Sequence, residues 1–347
     1  MADLLATSLG DLVVDTLRDL GKPKFTEITT DIQQFTAMPQ LLKKNRVSIQ
    51  GGYGVQWNVM VNHAQSAANV GLGYQDNPNI IDTTVQATAD WRNSKADYAF
   101  IGQEISMNRE PARIVDLVRQ RRIAAMIALV ELMENNFWGP PVGASDNTTP
   151  WGINTWIVKN ASVGFNGGAP TGYTTIGLNP STYPRWKNYS GNYTAVSSDD
   201  LVRKWRKMAT FINFRPPVDG IPTFNTGNMW RWYTNYGVIG PLEEILESQN
   251  DNLGNDVASK DGLTMFRRSP VQWVPKLEDD TTNPVYGLNW GVFKTYILSG
   301  WWLKQTNIQN YPGQHTISAY FLDCTYQWVL KDRRCHGVLA TGTSYPS

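Results

Sequence analysis

Residues 54–61 read GVQWNVMV and residues 84–91 read TVQATADW. In the first run Val55, Trp57, Val59 and Val61 alternate about Gln56 and Asn58, and in the second Val85, Ala87, Ala89 and Trp91 alternate about Gln86, Thr88 and Asp90. Side chains of an extended chain point to opposite faces in turn, so a period of two predicts two half-buried strands. The 62–79 stretch between them is rich in Ala, Asn and Gly and nearly uncharged, and it reads as a tip. An isolated two-stranded ribbon is marginal in water, so this one needs a surface to lie on. In an ordinary domain that surface is a larger sheet. Here the next segment reads as a long helix, so an extension supported by other chains is the second possibility.

That helix is announced by Asn108 as N-cap, with Pro111 in the first turn, and is stopped after Asn136 by Gly139, Pro140 and Pro141. At 1.5 Å per residue it spans roughly 40 Å, the width of a domain. Ile114, Leu117, Val118, Ala125, Leu129 and Leu132 supply one apolar stripe, while Arg109, Arg113, Arg119, Arg121 and Arg122 crowd the first half. A solvated face accounts for any one of these arginines. Five on a single helix also suit ion pairing with neighbouring subunits.

Upstream, Leu5, Leu9, Leu12, Val13, Leu17 and Leu20 recur at helical spacing, with Asp11, Asp15 and Asp19 on the other side. Gly21 and Pro23 end this predicted helix over 3–20. It packs on its own core, or it is an arm that lies on a neighbour. Downstream, 139–197 is loop-rich with a short strand at 154–159, helices are predicted at 199–213 and 226–248, and 249–262 reads as a surface loop. Strands are predicted at 263–276, 285–305, 314–331 and 337–341, with a tight turn at 332–336. Both alternating sets of 316–331 are largely apolar, which predicts cover on both faces.

A chain of 347 residues exceeds the usual size of one core, so two lobes or one lobe with extensions are expected. The apolar fraction of 41% and charged fraction of 18% exclude a disordered chain. Fourteen Trp, fifteen Tyr and eleven Phe suit protein interfaces, where buried rings contribute large areas, and equally suit sugar clefts. The net charge of +1 argues against a domain that grips nucleic acid, which needs many phosphate-neutralising side chains. Cys324 and Cys335 lack metal-site spacing, so no zinc site or disulfide framework is expected. No basic, apolar leader opens the sequence and no run of 18 apolar residues occurs, so a cytoplasmic, membrane-free protein is expected. The sequons at Asn147, Asn160, Asn188 and Asn192 then carry no weight.

Chemistry is not announced. His63, His315 and His336 are isolated from acidic or nucleophilic motifs, and the 164–177 glycines lack the Lys-Ser/Thr ending of a phosphate loop. Gly71-Leu72-Gly73 leads into no helix, Glu243, Glu244 and Glu247 share one helix, and 251–256 misses the calcium-loop register. No catalytic, cofactor or metal site is expected.

The order of amphipathic arm, β-ribbon, long helix, loop-rich mixed lobe and closing strands resembles the α+β fold of tailed-bacteriophage major capsid proteins. This Johnson fold is shared with encapsulins and herpesvirus shells. The stretch from Asn283 to Lys294, the path from Gln314 and His315 to Asp332-Arg333-Arg334, and the run from Leu178 to Trp186 are similar to local sequences of that family. The resemblance implies an N-terminal arm over 1–43, an extended loop over 44–108 and a peripheral domain with its spine helix over 109–149. An axial domain over 150–310 and peripheral closing strands over 311–347 complete it.

It also implies self-assembly into pentamers and hexamers of an icosahedral head around double-stranded DNA, located in the virion and built in the host cytoplasm. Portal, scaffolding and cement proteins are the implied partners, with no sequence-specific DNA contact. Trp57, Trp91, Arg113, Arg119, Arg121, Arg122, Arg333 and Arg334 are the candidate assembly residues, and much of the aromatic surface is expected to be buried only on assembly. Two departures from the family matter. Only about 43 residues precede the extended loop, so a fused scaffold is not expected. No Lys lies between Val47 and Ser94, so no isopeptide cross-link from that loop is expected. The alternatives are an encapsulin-like shell holding an enzyme cargo and, in another class, a Trp-rich carbohydrate-binding or hydrolytic protein.

Overall fold

The computed structural model describes residues 30–63, 67, 69–73, 80–107, 111–213, 230–248, 264–267, 269–306, 309–311, 314–342 and 345. The predicted 3–20 helix and the 249–262 loop lie outside the described residues, as do the side chains of Ile114, Leu117 and Arg113.

The ribbon forms as its alternation dictates. Gly54–Met60 pairs antiparallel with Thr84–Asp90, setting Val55 opposite Ala89, Trp57 opposite Ala87 and Val59 opposite Val85. Among the described residues it pairs with no other named strand, and a single-residue bridge joins Thr88 to Gly177. Arg92–Ile101 then leaves the ribbon and joins a six-stranded sheet, followed by a short helix at Gly102–Met107.

At the centre of this sheet lies Gln314–Leu330, bonded antiparallel to Arg92–Ile101 and to Phe293–Leu298. Val47–Gln50 adds a parallel edge to Phe293–Leu298. The central strand is covered on both faces from Cys324 to Leu330, as its doubly apolar pattern required.

The spine helix runs Pro111–Trp138. It buries Val118, Ala125, Leu129, Met133 and Phe137, a stripe stepping by seven and four. Leu132, expected on that stripe, is instead 41% exposed. The buried stripe drifts round the helix toward Met133 and Phe137, and Leu132, roughly 100° from Met133, is left at its trailing edge.

A second, seven-stranded sheet has the order Gly164–Gly167, Asn188–Tyr193, Gly337–Thr341, Val285–Asn289, Trp230–Thr234, Ser269–Trp273 and Met265–Phe266. Helices Arg203–Phe211 and Tyr236–Ser248 accompany it, the first preceded by a wide π-type turn at Ser198–Val202. Side chains of Trp205, Met208, Trp232, Val238 and Leu242 form its core.

Four expectations change here. The predicted strand 285–305 is two strands, Val285–Asn289 in the second sheet and Phe293–Leu298 in the first. The final strand Gly337–Thr341 does not return beside Gln314–Leu330. It pairs parallel to Asn188–Tyr193 and antiparallel to Val285–Asn289, so the chain passes between the sheets three times, after Arg92–Ile101, after Val285–Asn289 and after Gln314–Leu330. Residues 154–159 hold a helical turn, Ile153–Trp156, in place of a strand, and Trp230–Thr234 is a strand where a helix was expected. The two sheets share one large core in which Phe137, Trp138, Trp156, Trp290, Phe293 and Trp328 are packed. Phe137 meets Trp138, Trp290, Phe293 and Trp328 at ring separations of 5.2–6.0 Å.

Candidate functional site: the assembly surfaces

Two buried polar groups fix how the extensions leave the body. Glu134, on the last turns of the spine helix, is buried, and its carboxylate accepts the backbone N–H groups of Thr36, Ala37 and Met38 at 2.8 Å each. The Thr36 hydroxyl and the Trp138 indole N–H donate to the same carboxylate at 3.0 Å. Pro39 follows at the start of the short helix Met38–Leu41, so Glu134 supplies acceptors to amides that the helix itself leaves open. The chain entering the body is thereby clamped to the spine.

Arg333 is the second group. Its Nε donates to the Trp156 carbonyl at 2.8 Å and one terminal nitrogen to Trp186 at 3.1 Å. The other terminal nitrogen donates to Gly167, Gly168 and Asn188 Oδ1. These carbonyls stabilise the cation, while burial lowers its pKa to about 9. Arg333 is therefore not an interface side chain: it is enclosed by its own chain and cannot reach a neighbour. Its neighbour Arg334 is half-buried and forms an ion pair with Asp332 at 2.9 Å.

The ribbon has two unlike faces. Val55, Trp57, Ala87 and Ala89 are buried at its base against the same chain. The Trp57 ring lies 6.3 Å from Trp156 and closes over Gly177, where a Cβ would come within 3.0 Å of the indole and φ is +68°. Only glycine accepts that backbone and that approach. Trp57 thus anchors the ribbon internally, which removes it from the outward-facing candidates. Trp91 is half-buried and donates its indole N–H to the Gly52 carbonyl at 2.8 Å, holding the turn by which the chain enters the ribbon.

The opposite face presents Gln56, Asn58, Gln86 and Thr88, with Gln86 bonded to Gln56 at 3.0 Å. Met60 shares this outward face and is 63% exposed; the inward Val59, Val61 and Val85 stay partly packed on the core, and further out Ile80 is 98% exposed and Leu72 fully open.

On the spine helix, Arg121 is drawn inward. It pairs with Glu104, donates to the Ala99 carbonyl and lies over the Phe100 ring at 5.2 Å. Arg119 and Arg122 are half-buried on the same turn of helix.

Groups that could react are sequestered. His336 is buried, and its Nδ1 accepts the Asn289 N–H at 3.3 Å. Burial lowers its pKa to about 3, so it is neutral. Cys324 and Cys335 are buried, and burial pushes both thiols up, away from thiolate formation. His63 is exposed, and the His315 side chain lies outside the described residues. A cleft of about 630 Å³ opens beside Pro140, Asn154 and Tyr345, and its charged residues pair with each other as Lys159–Asp280 and Lys276–Asp279. Among the described residues no group of three or more His, Cys, Asp or Glu could hold a metal ion, and no helix is long and apolar enough to cross a membrane. The aromatic side chains are mainly core. Trp138, Trp156, Trp205, Trp290 and Trp328 are all buried within the one chain, contrary to the expectation that assembly would bury them.

A ribbon, a domain-length spine helix, one sheet beside that helix and a second sheet that the chain enters twice make up the architecture. No protein-family profile and no curated protein matches the sequence. Solved structures do. The chain is similar to the cyanophage A-1(L) capsid asymmetric unit, with a TM-score of 0.65 and 16% identity over 94% of this chain and 98% of that one. It is similar to the capsid of the native GTA particle, with a TM-score of 0.56 and 9% identity over 93% and 96%. A Microbacterium phage Oxtober96 chain gives 0.53 and 10% over 98% and 99%. End-to-end coverage in both directions at such low identity marks a shared architecture. The fold is that of phage capsid proteins, as the sequence pattern implied.

Proposed function

We propose that this chain is a structural major capsid protein, without catalytic activity, whose copies tile as pentamers and hexamers into an icosahedral phage head around double-stranded DNA. The observation that carries this reading is the ribbon. Its base is anchored by Trp57, and Val59, Val61 and Val85 stay partly packed on the body, while Met60 and, further out, Val70, Leu72 and Ile80 are exposed. Apolar surface extended away from the body is stable in water only when another surface meets it.

In this reading 1–43 is the arm, 44–108 the extended loop, 109–149 and 311–347 the peripheral parts and 150–310 the axial domain. Final strand Gly337–Thr341 then stitches the two domains together. Trp91, Arg113, Arg119, Arg122 and Arg334 remain the proposed contact residues. Arg121 contributes indirectly by fixing the helix against Arg92–Ile101. Many small contacts repeated around a ring add by avidity, so no single strong bond is needed. The near-neutral chain suits a wall past which DNA must slide. Assembly in the host cytoplasm with a portal, and with separate scaffolding or cement proteins, belongs to the same proposal.

Replacing 62–79 by a short turn tests it. Loss of regular particles with a body that still unfolds cooperatively is the expected result. Normal particles from that variant would remove the ribbon from the account.

A further inference from the structure

One flank of the spine helix is largely apolar and only partly covered. Residues 123–130 read IAAMIALV without a single charge, yet only Ala125 and Leu129 among them are buried. Ala124, Ala128 and Leu132 are exposed, and Ile123, Ile127 and Glu131 are half-buried beside them. These six positions step as i, i+1, i+4, i+5, i+8 and i+9, which places them in one continuous stripe along the helix. A helix apolar on more than its core face is built to be covered on both sides. The two alanines leave room for a second backbone at the closer end of the usual 8–10 Å helix spacing.

The path of the chain says what covers it. The Asp31 N–H donates to Glu131 on this stripe at 3.0 Å, and Thr36, Ala37 and Met38 bond to Glu134 one turn further on. Followed toward the N-terminus, the chain is therefore moving along the spine helix toward Ile127 and Ile123. The segment that comes next in that direction is 3–20, whose Leu5, Leu9, Leu12, Val13, Leu17 and Leu20 form an apolar stripe of matching helical period. Ten residues, 21–30, connect it to Asp31 and can span up to ~33 Å, whereas Glu131 to Ile123 is only ~12 Å along a helix. Charge agrees as well. Asp11, Asp15 and Asp19 edge the segment, and Arg122 closes the N-terminal side of the stripe.

We propose that the 3–20 segment folds back as a helix onto the 123–132 stripe of its own chain, apolar face to apolar face. The arm then shields the spine flank in the single subunit, independently of whether the chain later forms a shell.

Disulfide trapping in the dilute full-length protein tests this. Leu9→Cys, Leu12→Cys and Leu17→Cys are each combined with Ala124→Cys or Ala128→Cys, and Asp15→Cys serves as the off-face control. The native cysteines are buried and should remain silent. At least one apolar-face pair should link within the monomer, identified by mass spectrometry of the monomer band, and faster than the Asp15 control. No link in any combination, or links found only in dimers, would overturn the proposal, the second outcome assigning the stripe to the arm of another copy.

A labelling rate keeps the test independent of disulfide geometry. Maleimide labelling of Ala128→Cys should rise about tenfold when Leu9→Asp, Leu12→Asp and Leu17→Asp are introduced together, since covered sites react only through local opening. An unchanged rate would count against the cover.

Discussion

Glu134 and Met38 meet at 2.8 Å, carboxylate oxygen to backbone N–H, across 96 residues of sequence. This contact and its companions at Thr36 and Ala37 join the entering chain to the end of the spine helix. Removing the carboxylate strands several buried donors at once, and each costs about 1–3 kcal/mol when left unsatisfied. Glu134→Ala should therefore destabilise the protein by about 3 kcal/mol or more, read as a lower denaturation midpoint. Glu134→Gln, which keeps one acceptor oxygen, should lose less. Equal and small effects of both would show that the clamp contributes little.

Acid should weaken the body through His336. Its folded pKa is lowered from 6.5 to about 3 by burial, with Arg333 lowering it further and Asp332 opposing. Between those values the unfolded chain binds a proton that the folded chain does not, so stability falls as pH drops through this window. The slope from this one group approaches about 1.4 kcal/mol per pH unit. His336→Gln retains an acceptor for the Asn289 N–H and should flatten the acid limb of stability against pH by about one proton. An identical slope would contradict the assignment.

Charge reversal at Arg119 and Arg122 separates folding from assembly. Both are half-buried side chains on the spine helix, and the double variant Arg119→Glu with Arg122→Glu should reduce particle yield far more than it lowers the unfolding midpoint. Like charges at a contact cost more than lost pairs. Unchanged particle yield would exclude both from the contact surface.

Assembled particles should dissolve to a single monomer band on reducing SDS gels. The ribbon has no Lys from Val47 to Ser94, so it offers no amine for an isopeptide bond. Covalent ladders would refute this.

The ribbon and the spine helix were legible because each is governed by local rules. Strict alternation around Trp57 and Ala87 fixes which face each strand buries, and Pro111 and Gly139 bound the helix. The path between the sheets was not legible. Val285–Asn289 is buried and Phe293–Leu298 largely so, which makes the stretch read as a single apolar strand, and the brief Asn289–Gly291 turn signal does not announce a change of sheet. Trp230–Thr234 likewise hides its period because aromatic side chains occupy both faces. Arg333 sits in a charged triplet that reads as surface, yet its acceptors are carbonyls 147–177 positions away, a placement only the tertiary fold can specify. The aromatic count misled for a related reason: composition reports how much ring surface exists but not which side of the molecule it faces.

Electron microscopy of the full-length protein, expressed alone and then with a co-expressed scaffolding protein, is the most direct measurement. The account predicts closed particles of uniform diameter with five- and six-fold rings and the ribbon reaching across subunit boundaries. A protein that stays monomeric under both conditions, with its ribbon folded against its own body, would contradict it.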